Sequence, residues 1–423
     1  MKSICKFSKL LGVTIQVAIL LVVVGFEASA TFAQTRAYVA DRFTVSVIDS
    51  ATNTVVATLP IEGIGAIAVT PGGAFAYLTT PNQTVSVLDT ATNTVVATVP
   101  VGRGARAIAI TPDGAFAYIT NANDSTVSVI DTATNTVIAT VSVGLGPSEV
   151  AITPNGAFAY VVNGIGHTVS VIDTATNTVS ATIPGVLPLD IAITPDGAFV
   201  FLTTFADFIS DIITVTVIDT ATNTVIATIP VGVGGGKIAI TPDGAFAYVV
   251  QDPDLNLISV MDIATRSVIA TVALAAPFAP VGPFGIAIRP DGAFAYVTNL
   301  RSDTVSVIDT TTNTVIATIP VGDRPTDIAF APTVQTDPIS SLTAQVQALV
   351  AGGSLTVNQG AGLMDKLHQV QSKIDNGQTA AACNQLSAFT HQVNAFLNNR
   401  SLTTSQGQAL INAANAIKTS LGC

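Results

Sequence analysis

Few residues in this chain are equipped for acid–base, nucleophilic or metal chemistry. It has three histidines, three cysteines and no tryptophan. His167 stands in a glycine-rich stretch, Gly164-Ile165-Gly166-His167, while His368 and His391 lie in the C-terminal tail. A hydrolytic triad needs a base held against a nucleophile. No GxSxG elbow, HExxH pair or cysteine pair with metal spacing accompanies these histidines, so His167 reads as a solvated loop residue. Asp252-Pro253-Asp254-Leu255-Asn256 begins like a calcium loop, but Leu257 replaces the turn glycine and Ile263 the bidentate acid. A loose calcium site is the alternative there. The lack of tryptophan argues against a quinone stacked on tryptophan docking motifs, and no glycine loop stands between a strand and a helix to cradle phosphate. The chain is therefore expected to hold no metal and no cofactor, and to be non-enzymatic.

The charged residues fall into two groups. Asp89, Asp131, Asp173 and Asp219 open an identical string, Asp-Thr-Ala-Thr-Asn-Thr, and worn copies begin at Asp49, Asp262 and Asp309. A residue recurring at the same turn serves that turn, because Asp and Thr side chains bond turn N–H groups and Asn tolerates positive φ. Asp113, Asp196, Asp243 and Asp291 in Pro-Asp-Gly turns read the same way. The second group breaks the repeat. At the start of successive repeats stand Arg106, Glu149, Asp190, Lys237 and Asp327, with Arg103 and Arg324 nearby, where other repeats have Ala66 and Gly285. This mixed-charge set would line a channel mouth, either holding a small polar ligand or forming a solvated rim of little energetic weight. The longest departures are 204–213 (TFADFISDII), 251–257 and 273–284 (ALAAPFAPVGPF). They offer apolar anchors, Phe205, Phe208, Ile209, Phe278 and Phe284, rimmed by Asp207, Asp211, Asp252 and Asp254. Aromatic anchors inside a polar rim are the anatomy of a protein-binding patch. Alternatively, these loops cover one another or pack on the tail.

These residues must be positioned by the repeat. The aspartates opening each string are 40 to 47 residues apart, a period that means one supersecondary unit repeated. In the third copy, 107–111 (AIAIT), 115–120 (AFAYIT), 126–131 (TVSVID) and 136–141 (TVIATV) read as four strands, joined by Pro112-Asp113-Gly114, a polar loop and a tight turn. Val and Ile dominate and no helical period appears. Four-stranded units at this spacing predict an all-β seven-bladed β-propeller over a solenoid. The first strand signal, 37–40 (AYVA), matches the second strand of a blade, and the last, 326–330 (TDIAF), matches a first strand. The C-terminal strand is thus expected to pair with the N-terminal ones and close the ring between about 37 and 331, leaving no open edge.

Tyr296-Val297-Thr298-Asn299 is a literal YVTN, with variants at 118–121 (YITN), 160–163 (YVVN), 77–80 (YLTT) and 38–41 (YVAD). With the TPDG turns and VIDT-ATNTV hairpins, the region resembles the YVTN-type (YncE-like) β-propeller repeat family. That resemblance implies a seven-bladed ring in an exported or surface protein and says little about chemistry.

Past a linker at 332–336 the composition shifts toward Ala, Gln, Asn and Leu. Asp337-Pro338 marks a helix start. Apolar residues at helical spacing (Ile339 to Leu349, Leu363 to Ile374, Ala382 to Phe396, Leu410 to Leu421) predict a small all-α bundle over 337–423. Thr403-x-x-Gln406 is a capping box. The segments 381–386 (AACNQL) and 407–411 (GQALI) are similar to the FIMAH-type module, which implies an accessory or interaction unit.

At the N-terminus, Lys2, Lys6 and Lys9 precede an apolar run and Ala28-Ser29-Ala30, the pattern of a cleaved signal peptide over 1–30, with a second cleavage option after 33. The alternative is an uncleaved anchor. Cys383 and Cys423 remain beyond the signal, and an even pair in an exported chain points to a disulfide; its loop of about 40 residues would contribute roughly 4 kcal/mol in the chain-entropy picture. Two free thiols are the alternative. The net charge of −11 without a basic stripe disfavours nucleic acid and anionic lipid as partners. The expectation is a secreted, periplasmic or cell-surface propeller, monomeric, with no membrane span after cleavage, binding a protein or cell-surface component. The alternatives are a lactonase- or lyase-type propeller enzyme, and a small-ligand or metal-binding sensor.

Overall fold

The computed structural model describes residues 35–63, 65–206, 211–275, 281–331, 338–375 and 378–423. Seven four-stranded antiparallel sheets follow one another. Blade 1 pairs Asp327–Ala331 with Arg36–Ala40, followed by Val45–Asp49 and Thr54–Leu59. Ala40 opposes Asp327 and Arg36 opposes Ala331, so the last strand of the propeller zips onto the first. Blades 2 to 7 span 67–100, 105–142, 147–184, 188–233, 238–273 and 283–320. The inner strand of each blade touches that of the next, and blade 7 touches blade 1, so the ring is closed. Closure through the chain ends leaves no inner edge to template aggregation.

The repeated residues hold the hairpins as expected. Asp131 Oδ1 accepts the Thr134 N–H at 2.8 Å and the Thr134 hydroxyl at 2.9 Å, and these bonds hold its carboxyl below the usual range. Asn135 sits at φ 54° and Gly114 at φ 75°, the left-handed positions their turns require. In the third blade the strands run Ala105–Ile110, Phe116–Asn121, Thr126–Asp131 and Thr136–Ser142, within two residues of the pattern read from sequence.

Buried apolar clusters lie between consecutive blades. One joins Val127 and Val129 of blade 3 to Ala159, Val161 and Ile172 of blade 4. This explains why the strands are apolar on both faces: each middle strand is covered by a neighbouring sheet on either side. The YVTN tyrosines add a polar tie to each interface. Tyr118, wholly buried, sends its hydroxyl across the seam to Asn177 Oδ1 at 2.7 Å. Tyr38, Tyr77, Tyr160, Tyr248 and Tyr296 make the same bond to Asn93, Asn135, Asn223, Asn313 and Asn53. Burial pushes the Tyr118 phenol up to about 12, so it remains a donor. Only the seam between blades 5 and 6 departs among these ties: Phe201 replaces the tyrosine, Arg266 replaces the asparagine, and the Arg266 guanidinium lies 5.5 Å from the Phe199 ring centroid.

The tail forms four helices, Pro338–Ala351, Val357–Asp375, Thr379–Asn398 and Thr404–Ser420. They enclose Leu342, Leu363, Leu386, Phe389, Val393 and Ala414. Thr403 and Gln406 form the reciprocal capping box. Thr356 and Gln359 form a second one that the sequence reading passed over. Cys383 and Cys423 are disulfide-bonded, their Cα atoms 5.9 Å apart. No helix among the described residues is long and apolar enough to cross a membrane. The signal-peptide segment 1–30 lies outside the described residues.

Candidate functional site

The TPDG turns and the Asp-Thr-Ala-Thr-Asn hairpins occupy one face of the ring. The loops joining second to third strands, and those crossing to the next blade, occupy the other. On this second face the channel opens into a funnel of about 1600 Å³. Its wall is built from the starts of inner strands, such as Ser148, Leu189 and Phe284, from crossover residues such as Gly146 and Leu187, from the second-to-third-strand loop residues Asn123 and His167, and from Phe205 at the end of a second strand.

The pairing register identifies one equivalent position at the start of every inner strand. It is held by Asp327, Ala66, Ala107, Glu149, Asp190, Lys237 and Gly285 in blades 1 to 7, each one residue before a partner of the second strand. Arg106 is therefore one residue outside the ring position assigned to it from sequence. Ala107 stands five residues before the turn proline Pro112, as Glu149 does before Pro154, so Ala107 holds the ring position and Arg106 aligns with Ser148. Arg106 still lines the funnel, exposed, from just above that level. Gly285 has no room for a side chain: a Cβ there would come 2.7 Å from the Thr326 carbonyl.

At the floor, Lys237 Nζ donates to Glu149 Oε1 at 2.6 Å and to Asp190 Oδ1 at 3.4 Å. The Lys237 and Glu149 side chains are 27% and 22% exposed. Asp190 Oδ2 accepts the Ile238 N–H of blade 6 at 2.8 Å, and Asp327 Oδ2 accepts the Ile67 N–H of blade 2 at 3.0 Å. Both aspartates thus tie neighbouring blades as well as charging the floor. Burial raises the Glu149 carboxyl to about 7; Lys237 opposes this rise, and Asp190 and Asp327 add to it. Burial also raises Asp327. For Lys237, burial acts downward, but Asp190, Glu149 and Asp327 outweigh it and hold the ammonium well above its ordinary value. One cation therefore sits among three carboxylates in a partly desolvated cavity.

Of the loop residues, Phe205, Asp211 and Phe284 line the same funnel, Phe284 being 41% exposed. The channel mouth and the aromatic patch, expected as separate sites, share one concavity. Asp207, Phe208, Ile209 and Phe278 lie outside the described residues. The acidic rim is smaller than expected. Asp252 Oδ1 bonds the Asp254 N–H at 2.7 Å within its own turn, and Asp254 pairs with Arg301. Neither lines the funnel. Arg103 is likewise drawn aside by Asp124, at 2.7 Å, while Arg324 donates its backbone N–H to Asp303 Oδ1 and stands outside the lining. Among the described residues no group of three or more His, Cys, Asp or Glu side chains has an arrangement fit to hold a metal ion.

The architecture defines a seven-bladed propeller with one charged funnel. The YNCE-like β-propeller family matches residues 111–213, and the FIMAH domain family matches residues 339–419. The chain carries a YNCE-like β-propeller followed by a FIMAH domain. No curated protein matches it. Among solved structures, it is similar to the hydrazine synthase of Kuenenia stuttgartiensis, with 23% identity and TM-score 0.58 over 64% of this chain and 91% of that one. A functionally unknown protein from Desulfotomaculum acetoxidans gives 19% identity and TM-score 0.60 over 70% and 98% of the two chains. The dihydro-heme d1 dehydrogenase NirN gives 14% identity and TM-score 0.51 over 71% and 76%. At these identities the likeness concerns the fold alone.

Proposed function

We propose that this is an exported, non-catalytic binding propeller whose working surface is the funnel. The carrying observation is that the repeat's departures converge there: Glu149, Asp190, Lys237 and Asp327 at the floor, Phe205 and Phe284 on the wall. A concave site lined by apolar groups with a few converging polar ones is the usual form of a ligand or partner site. The floor chemistry favours recognition over turnover. Lys237 is engaged by two carboxylates, and Asp190 and Asp327 each spend an oxygen on a neighbouring blade. The FIMAH domain and the disulfide support an extracellular setting, where such a pair persists. The partner is a protein or cell-surface component that inserts a protruding group into the funnel.

The test is capture of exported proteins by the full chain. The wild type should retain a partner that Phe205→Asp/Phe284→Asp does not, at unchanged melting temperature. Equal recovery by both would reject the funnel as the working surface. One observation favours an enzymatic reading, the partly buried Glu149 raised to about 7 beside Lys237, since such groups can act as acid or base. Turnover of a lactone or ester abolished by Glu149→Gln would establish it.

A further inference from the structure

The composition of the funnel points to the chemistry of what enters it. Four carboxylates line it, Glu149, Asp190, Asp211 and Asp327, against two cations, Arg106 and Lys237. The excess is concentrated at the floor, where Lys237 faces three of the four. Glu149 binds Lys237 through Oε1 alone, which leaves Oε2 to accept from the cavity. The ring position carries nothing beyond Cβ at Ala66 and Ala107, between Asp327 and Glu149, whereas Gly285 is packed against the Thr326 carbonyl and adds no space. The floor therefore has open space beside its surplus negative charge. Next to it Ile67, Ile108, Ile191, Ile238 and Ile286 border the cavity with aliphatic edges, the first four being mostly buried between blades. Lys237 itself shows what this floor accommodates, since it is an ammonium on an alkyl stem seated between two carboxylates.

We infer that the funnel takes a primary ammonium group on an aliphatic stem, its head between Glu149 and Asp327 and its stem along the isoleucine edges. This rests on the reading of the funnel as the working surface. An ion pair in such a partly desolvated cavity gains more than one at an open surface, while the stem loses apolar area to the isoleucine edges. The wall toward Arg106 would repel the head and so orient it toward the floor. The ligand is thus either a lysine side chain presented by a partner protein or a free alkyl diamine, and both share the group that is recognised.

Calorimetry on the full chain at low ionic strength tests this with four probes: 1,5-diaminopentane, an acetyl-Gly-Lys-Gly-amide peptide, the same peptide acetylated on the lysine Nε, and glutarate. At least one amine probe should bind, and the acetylated peptide and glutarate should not. Glu149→Gln should weaken amine binding by about ten-fold, as expected for losing a charge-assisted hydrogen bond. Lys237→Met, which frees two carboxylates, should strengthen it by a similar factor. That gain is one that damage to the fold would not produce. Binding of the peptide alone assigns a presented lysine, and binding of the diamine alone assigns a free amine; either upholds the inference. Absence of amine binding at 10 mM on the order of weak-ligand limits, or equal binding of glutarate, overturns it. If amines fail while Phe205→Asp/Phe284→Asp still abolishes partner capture, the ammonium class falls and the funnel stands. If partner capture also survives that double substitution, both fall.

Discussion

Six seams of the ring are tied by a buried Tyr–Asn bond on the hairpin face, whereas the seam between blades 5 and 6 is tied on the funnel face. There Phe201 and Arg266 stand in place of tyrosine and asparagine, and the charged contacts appear at the opposite end: Asp190 accepts the Ile238 N–H and pairs with Lys237. The two departures face each other across one seam. A tyrosine facing Arg266 would lack the asparagine acceptor and keep only a backbone carbonyl of the kind Tyr77 and Tyr248 also reach, and an asparagine facing Phe201 would lose its donor. Arg266 instead lies over Phe199. The seam between blades 1 and 2 carries both ties, Tyr38 to Asn93 and Asp327 to the Ile67 N–H, so the seam between blades 5 and 6 differs in holding the floor tie without the tyrosine one.

The closure seam gives the largest expected effect. Asp41 occupies the place of the YVTN asparagine in blade 1. It is wholly buried, with Oδ2 accepting from Ser46, Thr44 and the Gly322 N–H of the crossover from blade 7, while Oδ1 has no partner. Burial raises its carboxyl to about 6 against an unfolded value of 3.8. The folded state therefore holds this proton more tightly than the unfolded one. The cost of ionising it is full above pH 6 and disappears as the pH falls toward 4. Asp41→Asn should stabilise the propeller by roughly 3 kcal/mol at pH 8 and by nothing below pH 4. Denaturant midpoints measured across that range check it; a pH-independent difference would assign the effect to packing instead.

The latch itself comes next. Tyr118→Phe should cost about 1–2 kcal/mol, because Asn177 Oδ1 loses its donor inside a seam. At the odd seam the sign inverts. Phe201→Tyr alone should destabilise by a similar amount, and Phe201→Tyr/Arg266→Asn should recover most of it. A double-mutant cycle with a coupling energy near zero would break the comparison. The smallest effect expected is that of Arg266→Ala, about 0.5–1 kcal/mol for a half-exposed guanidinium over an aromatic ring. Equilibrium unfolding of the single variant resolves it, and a loss well beyond that range would show that Arg266 does more than cover Phe199.

Much of this architecture is legible in the sequence because repetition averages out local ambiguity. Four strand signals recur at one spacing, and the offset of the terminal strands states how the ring closes. The Asp and Asn turn roles follow from local hydrogen bonding and were readable for the same reason. The Tyr–Asn latch was not read, because its partners lie more than fifty residues apart and each already had a local explanation. The signal existed: Phe201 and Arg266 are exceptions to two different motif positions in consecutive repeats. At the site, the charged ring residues were visible as departures, but their pairing was not. Arg106 lies one position outside the ring, and spacing reveals it: Ala107, not Arg106, stands five residues before its turn proline, as Glu149, Asp190 and Lys237 do. Asp252 and Asp254, expected on the acidic rim, and Arg103, expected near the channel mouth, are drawn aside: Asp254 pairs with Arg301, Arg103 with Asp124, and Asp252 closes its own turn.

The central claim is a division of labour between repeated residues that hold the ring and unrepeated ones that recognise. Its most direct test compares Tyr118→Phe with Phe205→Asp/Phe284→Asp in the full chain, measuring melting temperature and partner capture on the same preparations, each below its own transition. The account predicts that the first variant melts earlier and captures as the wild type does, while the second melts with the wild type and captures nothing. Capture lost with the tyrosine hydroxyl, or kept after both phenylalanines are replaced, would contradict it.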